Sequence, residues 1–108
     1  MRIVLLAALV AVIAAPAFAT GLSMNEVALA PGTTMEQCKA QGRAALAKAG
    51  LGAMPESPAS VFAGGKNGEL AAVYCMPQRG IAIVGVAGSD NALTRPILFA
   101  VMGAMAKH

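Results

Sequence analysis

The first nineteen residues have the pattern of an export signal, and they limit the length and the environment of the chain that folds. Arg2 precedes an uncharged apolar run, Pro16 follows that run, and positions 17–19 (AFA) place small residues at −3 and −1 of a cleavage site. This arrangement is typical of a secretory signal peptide. We predict cleavage after Ala19 and a location in the periplasm or outside the cell.

The alternative for this segment is a retained membrane anchor. The uncharged stretch 3–19 has 17 residues, which is the lower limit for a spanning helix, and it contains Pro16. Lipid attachment at the cleavage point is not predicted, because the first cysteine is Cys38. We therefore expect contact with a membrane only if the signal is not cleaved.

Residues 20–108 are long enough for a single small domain, and their composition limits its core and its partners. The full chain has no Trp, one Tyr and three Phe, so the core must be built from aliphatic side chains and Met. The eight Lys and Arg residues are scattered along the chain. Nucleic-acid binding normally needs clustered cations and aromatic side chains on which bases stack, so we do not expect it here.

Hydrophobic spacing and turn residues predict an α+β domain with the order β-α-β-β-β-α. We expect the three later strands to form an antiparallel meander, with both helices packed on one face of the sheet. A capping box is predicted at Thr33 and Glu36, at the start of the first helix. The predicted strands cover 22–30, 60–63, 69–76 and 81–87; the first helix covers 35–49, the second starts between Asn91 and Arg95, and the segment LGAMPESPAS (51–60) is a loop.

The face of the sheet away from the helices is predicted to be apolar. Alternation along the third strand places Leu70, Ala72, Tyr74 and Met76 on that face. The fourth strand, 81–87, is apolar at nearly every position, as in a central strand buried on both faces. An exposed apolar face of this kind usually has a partner, so a homodimer through the open sheet face is one expectation.

The two cysteines are predicted to form a disulfide between helix and sheet. Cys38 lies on the apolar stripe of the first helix, and Cys75 shares a strand face with Ala71 and Val73. If that strand face is the helix side, both sulfur atoms enter the same layer. Export into an oxidising compartment favours the bond. A redox-active pair is disfavoured, because exchange chemistry uses close pairs such as C-x-x-C.

Soft-metal binding is the alternative role for these sulfur atoms. Cys and Met are ligands suited to Cu(I), and Cys75-Met76 together with His108 would supply them. Neighbouring residues of a strand point to opposite faces, however, so Cys75 and Met76 cannot chelate one ion in a regular strand. We assign no metal site and no cofactor.

No catalytic arrangement is predicted. His108 is the only histidine and lies at the chain end, so a nucleophile would have no ordered base. Paired carboxylates would require the fold to bring distant residues together; the acidic residues are Glu26, Glu36, Glu56, Glu69 and Asp90.

The segments "MEQCKAQGRAALAKAG", "AAVYCMP" and "IAIVGVAGSDNA" resemble those of small exported bacterial domains of unknown function, in which a helix cysteine and a strand cysteine frame an α+β unit. The resemblance implies a periplasmic location and a disulfide, and it supplies no activity. The leading hypothesis is a non-enzymatic domain that binds a protein or a small ligand; a copper-binding periplasmic protein is the alternative.

Overall fold

The computed structural model describes residues 21–106, so the predicted signal peptide and His108 lie outside the described part of the chain. The order of elements is the predicted one with one short strand added. The elements are β1 (Gly21–Ala28), α1 (Met35–Lys48), β2 (Gly52–Met54), β3 (Ser60–Gly64), β4 (Leu70–Met76), a 3-10 turn (Pro77–Arg79), β5 (Ile81–Gly88) and α2 (Asn91–Met105).

The strands form one antiparallel sheet in the order β1-β5-β4-β3-β2. The predicted meander of β3, β4 and β5 is confirmed, and β1 pairs with β5 along its full length. The prediction of a loop over 51–60 was wrong at β2, which pairs with β3 through Gly52–Gly64, Ala53–Ala63 and Met54–Phe62. A three-residue exposed strand is too short to show a period in the sequence.

A capping box starts α1, one residue later than predicted. The Gln37 amide donates to the Thr34 side chain at 3.1 Å, and the Thr34 amide donates to the Gln37 side chain at 2.9 Å. Thr33 is not the cap, because its hydroxyl donates to the Ala30 carbonyl at 2.6 Å and closes the preceding turn. Either threonine satisfies the sequence pattern of the box, so the pattern alone cannot choose between them.

Asp90 caps α2 by accepting a hydrogen bond from the Leu93 amide at 3.0 Å. The helix then continues past Pro96, which lies in its second turn. Its buried side chains are Thr94, Leu98, Val101 and Met105. Neither helix within residues 21–106 is long and apolar enough to cross a membrane.

Both helices lie on the same face of the sheet, as predicted, and they also contact each other. Helix α1 packs on β2, β3 and β4, and α2 packs on β1 and β5. Gly42 of α1 lies so close to Val61 and Val73 that a methyl group there would be 3.0 Å from both side chains. The core between the layers consists of Val27, Cys38, Ala45, Leu46, Val61, Ala63, Ala71, Val73, Cys75, Ala82, Val84, Val86, Leu98, Val101 and Met105.

Strand β5 is buried on one face only, although its composition predicts burial on both. Ala82, Val84 and Val86 face the helices and are fully buried. Ile81 and Ile83 alternate with them and are half-buried on the opposite face. Among residues 21–106, no helix or second sheet covers this apolar face of β5.

Candidate functional site: the open face of the sheet

The surface opposite the helices is the candidate site, and we call it the open face. Residues paired directly across antiparallel strands project on the same side of a sheet, so the strand register defines its members. The open face consists of Leu22, Met24, Glu26 and Ala28 of β1; Ile81, Ile83, Gly85 and Ala87 of β5; Leu70, Ala72, Tyr74 and Met76 of β4; Ser60, Phe62 and Gly64 of β3; and Gly52 and Met54 of β2.

Large hydrophobic side chains of the open face are exposed. Leu22 and Met24 on β1 have 64% and 58% of their surface accessible, and Leu70 and Tyr74 on β4 have 43% and 46%. Met54 adds another exposed side chain at the β2 edge. Soluble monomers rarely expose a continuous apolar surface of this kind, and such surfaces usually mark a binding site.

The three longest strands arrange the open face in four rows that run across β1, β5 and β4. The strand register aligns one residue from each strand in every row. The rows are Leu22–Ala87–Leu70, Met24–Gly85–Ala72, Glu26–Ile83–Tyr74 and Ala28–Ile81–Met76. Met24 lies over Gly85, since a methyl group added to this glycine would be 3.5 Å from the Met24 side chain.

Glu26 is the only charged side chain among the members of the open face. It is exposed, and Ile83 separates it from Tyr74 in the same row. A polypeptide that covered this face would remove the carboxylate from water. That carboxylate would then need a hydrogen-bond donor, because burying an unpaired charge is costly.

The predicted disulfide between Cys38 and Cys75 is confirmed on the helix side of the sheet. Both residues are buried, and their Cα atoms lie 6.0 Å apart. Met76 projects on the open face, so the two neighbouring sulfur-containing side chains are separated as alternation predicts. The bond fixes α1 to the strand that carries Leu70, Ala72 and Tyr74.

The disulfide weakens the case for the soft-metal alternative. Cys75 has no thiolate to offer an ion while its sulfur is bonded to Cys38. Within residues 21–106 no three His, Cys, Asp or Glu side chains are grouped to hold a metal ion. The third ligand considered, His108, lies outside the described residues. The disulfide therefore removes the Cys75 thiolate from the donor set that the copper alternative uses.

A charged cluster that the sequence analysis missed joins α1 to the loop before β3. The Arg43 guanidinium donates to both Glu56 oxygens, at 2.6 and 2.9 Å, and Lys39 Nζ lies 3.3 Å from Glu56 Oε1. Lys39 also donates to the Ser57 carbonyl at 2.9 Å. The hydrogen bond from Arg43 is the main reason why the pKa of Glu56 falls to about 2. The i, i+4 spacing of Lys39 and Arg43 was the available signal, but it does not identify the acidic partner.

Two of the other carboxylates, Glu69 and Asp90, have structural positions. Glu69 is buried, and its Oε1 accepts from the Asn67 amide at 3.2 Å in the turn between β3 and β4. Asp90 caps α2, whereas the capping role predicted for Glu36 belongs to Gln37.

Comparison with known proteins adds no function, because no protein-family model, curated protein or solved structure matches the chain. The function is therefore inferred from the residues and their arrangement.

Proposed function

We propose that this protein is an exported, non-enzymatic domain that acts by binding another polypeptide through the open face. The observation that carries the proposal is the exposure of large apolar side chains over the three longest strands, from Leu22 on β1 to Leu70 and Tyr74 on β4. Apolar surface removed from water contributes about 25 cal/mol per Å² to association.

The shape of the open face favours a polypeptide over a small ligand. Small-molecule sites are concave and enclose most of the ligand, with a few polar groups that fix its orientation. The open face is a sheet surface several strands wide, and its charged group is Glu26 alone. A flat partner of similar width can cover such a surface, whereas a small molecule would stay largely in water.

Export and the disulfide support the proposal in a second way. The signal-peptide pattern directs the chain to a compartment where Cys38 and Cys75 can be oxidised. The bond stabilises a small aliphatic core without using the open face. The side chains of the open face therefore do not have to stabilise the fold and can serve binding. We propose no catalytic residue, no cofactor and no nucleic-acid ligand.

Site-specific photocrosslinking in the producing cells tests the proposal. We would replace Leu70 on the open face with p-benzoylphenylalanine and make the same replacement at Ala44 on α1 as the control. Ala44 is exposed on the helix layer, on the opposite side of the sheet from the open face. We expect the Leu70 variant to form a discrete crosslinked band on irradiation and the Ala44 variant to form none.

Mass spectrometry of the band identifies the bound polypeptide. Absence of a band at Leu70, from a protein that is exported and oxidised, would overturn the proposed function. Equal bands from both positions would overturn it as well, because binding would then not be specific to the open face.

A further inference from the structure

We propose that the polypeptide on the open face is a second copy of this chain, related to the first by a twofold axis that runs along β5 between the two sheets. The inference rests on the proposed function, because it names the partner of the same surface. It specifies a face-to-face sandwich in which each sheet has helices outside and its open face inside.

The pattern of β5 is the first argument. Strands buried on both faces have near-continuous apolar sequences, whereas strands with one face in water alternate between apolar and polar residues. Residues 81–88 (IAIVGVAG) contain no polar side chain. The helices cover Ala82, Val84, Val86 and Gly88, so a second layer over Ile81 and Ile83 would account for the rest of the pattern.

A twofold axis along β5 has a definite effect on the rows. It keeps the position along the strands and exchanges the two sides, so β1 of one copy lies over β4 of the other. Each row of one copy then faces the same row of the second copy, with the β1 residue opposite the β4 residue. Leu22 meets Leu70 of the second copy, Met24 meets Ala72 of the second copy, and β5 lies over β5.

Side-chain size matches in the arrangement that this axis produces. The long Met24 faces the small Ala72 of the second copy, above the row that contains Gly85. In the last row the long Met76 faces the small Ala28 of the second copy. Large residues opposite small ones allow two sheets to interdigitate at the density of a protein interior.

The charged row selects this axis over its alternatives. With the axis along β5, Glu26 faces Tyr74 of the second copy, whose hydroxyl can donate to the carboxylate. The twofold symmetry places this Glu26–Tyr74 contact at two positions in the dimer. A twofold axis perpendicular to the strands would instead set β1 over β1, so that Glu26 would face an open-face residue of the second copy's β1 (Leu22, Met24, Glu26 or Ala28), and none of these side chains carries a hydrogen-bond donor at neutral pH. The arrangement along β5 is the one that pairs the charge of the open face.

The area is consistent with a reversible dimer. Strands lie about 4.8 Å apart and rise about 3.3 Å per residue, so β1, β5 and β4 present roughly 400 Å² in projection on each copy. Accessible area exceeds projected area, and two copies would bury on the order of 1,000 Å², at the small end of specific interfaces. We expect a dissociation constant on the order of 10 µM.

Pairing of two β1 edges is the competing dimer, since β1 is the long edge strand of the sheet. One of its groups is already satisfied within the chain, because the Glu26 amide donates to the Asn25 side chain at 2.8 Å. An edge-to-edge dimer would also leave Leu70 and Tyr74 on β4 exposed.

Sedimentation of the exported, oxidised protein from about 1 to 500 µM tests the inference. We expect a monomer–dimer equilibrium that Leu70→Lys weakens by at least about 100-fold, because the introduced charge is buried twice per dimer. Ala44→Lys on the exposed side of α1 is the control and should leave the equilibrium unchanged. Circular dichroism and thiol titration confirm that each variant is folded and oxidised.

A charge exchange tests the axis itself. Tyr74→Glu sets two carboxylates against each other, and Glu26→Lys removes the acceptor of the Tyr74 hydroxyl, so each single change should weaken the dimer at least about tenfold. The double variant restores opposite charges across the interface and should recover most of the lost affinity. Within one chain the two side chains stand on either side of β5, so no comparable rescue is expected from the monomer.

The outcomes separate this inference from the proposed function. A protein that stays monomeric up to about 500 µM overturns the inference, as does a dimer that Leu70→Lys does not weaken, and a double variant without rescue overturns the axis. If the photocrosslink at Leu70 then contains a different polypeptide, the proposed function stands with another partner. A crosslink between two copies of the chain supports both.

Discussion

At the scale of single residues, Glu56 shows how one exposed charge can hold a loop that lacks regular structure. Its carboxylate accepts two hydrogen bonds from Arg43 and lies beside Lys39, and these cations stand on consecutive turns of α1. The Arg43 and Glu56 side chains are 48% and 29% exposed, so water screens the pair. The cluster therefore positions residues 55–59 before β3 more than it stabilises the core.

The free energy of unfolding should decrease as the pH is lowered through the range in which Glu56 titrates. Its pKa is about 2 in the folded chain and 4.5 in the reference state, so the carboxylate is ionised in both states above about pH 5 and its contribution is fully present there. As the pH falls from about 4.5 to 2, the unfolded state binds the proton first and the contribution is lost. Glu56→Gln should remove this part of the pH dependence, measured as urea unfolding midpoints.

The reciprocal variant gives the control for this assignment. Arg43→Gln removes the largest cause of the shift, so the pKa of Glu56, followed by NMR of its carboxyl carbon, should move up toward its usual value. A Glu56 titration unchanged in Arg43→Gln would contradict the assigned cause.

At the scale of elements, the distance between α1 and the sheet is set by small residues. Cys38, Gly42 and Ala45 lie on the buried face of the helix, and Gly42 rests directly on Val61 and Val73. The sequence predicted this apolar stripe, because a period of three and four residues survives in any tertiary context. It did not predict which threonine starts the capping box, because that depends on local hydrogen bonds that the sequence pattern does not distinguish. It did not predict β2, because a strand of three residues is too short to show a period.

Gly42→Ala should destabilise the protein, although alanine is the better helix former. The new methyl group would be 3.0 Å from the Val61 and Val73 side chains, which are fully buried and stiff at χ1. Overpacking costs about 1–3 kcal/mol, against a gain of about 1 kcal/mol in helix propensity. We expect a net loss of about 1 kcal/mol in the free energy of unfolding, measured by urea denaturation.

Gly103→Ala is the matched control in the other helix. A methyl group at Gly103 of α2 meets no atom within 4 Å, so only the gain in propensity applies. We expect stabilisation by about 0.5–1 kcal/mol. If both substitutions stabilise equally, the close approach of α1 at Gly42 does not limit the packing.

At the scale of the whole molecule, alternation along β4 predicted the main division of the structure. It placed Cys75 with Ala71 and Val73 toward the helices, and Tyr74 and Met76 toward the open face. The pairing of Glu26 with the Tyr74 row was not predictable, because it depends on β1 lying beside β5, and that register is a long-range property. The sequence therefore indicated an apolar face but not the order of the strands that compose it.

The disulfide should account for a large share of the stability of the domain. Its bond closes a loop with a sequence separation of 37, for which the chain-entropy relation gives roughly 4 kcal/mol, whereas small domains have about 5–15 kcal/mol in total. The aliphatic core has no aromatic side chain to offset this loss. The double variant Cys38→Ala, Cys75→Ala should therefore unfold at a much lower urea concentration, with a loss of roughly 3–5 kcal/mol.

Reduction of the unmodified protein is the control, because it removes the bond without changing a side chain. Denatured protein should show two reactive thiols after reduction and none before it. All midpoints must be compared at one protein concentration, since a dimer that forms only from folded chains raises the midpoint as concentration increases. An unfolding midpoint that is the same in oxidised and reduced protein would show that packing of α1 on β3 and β4 holds the fold without the bond.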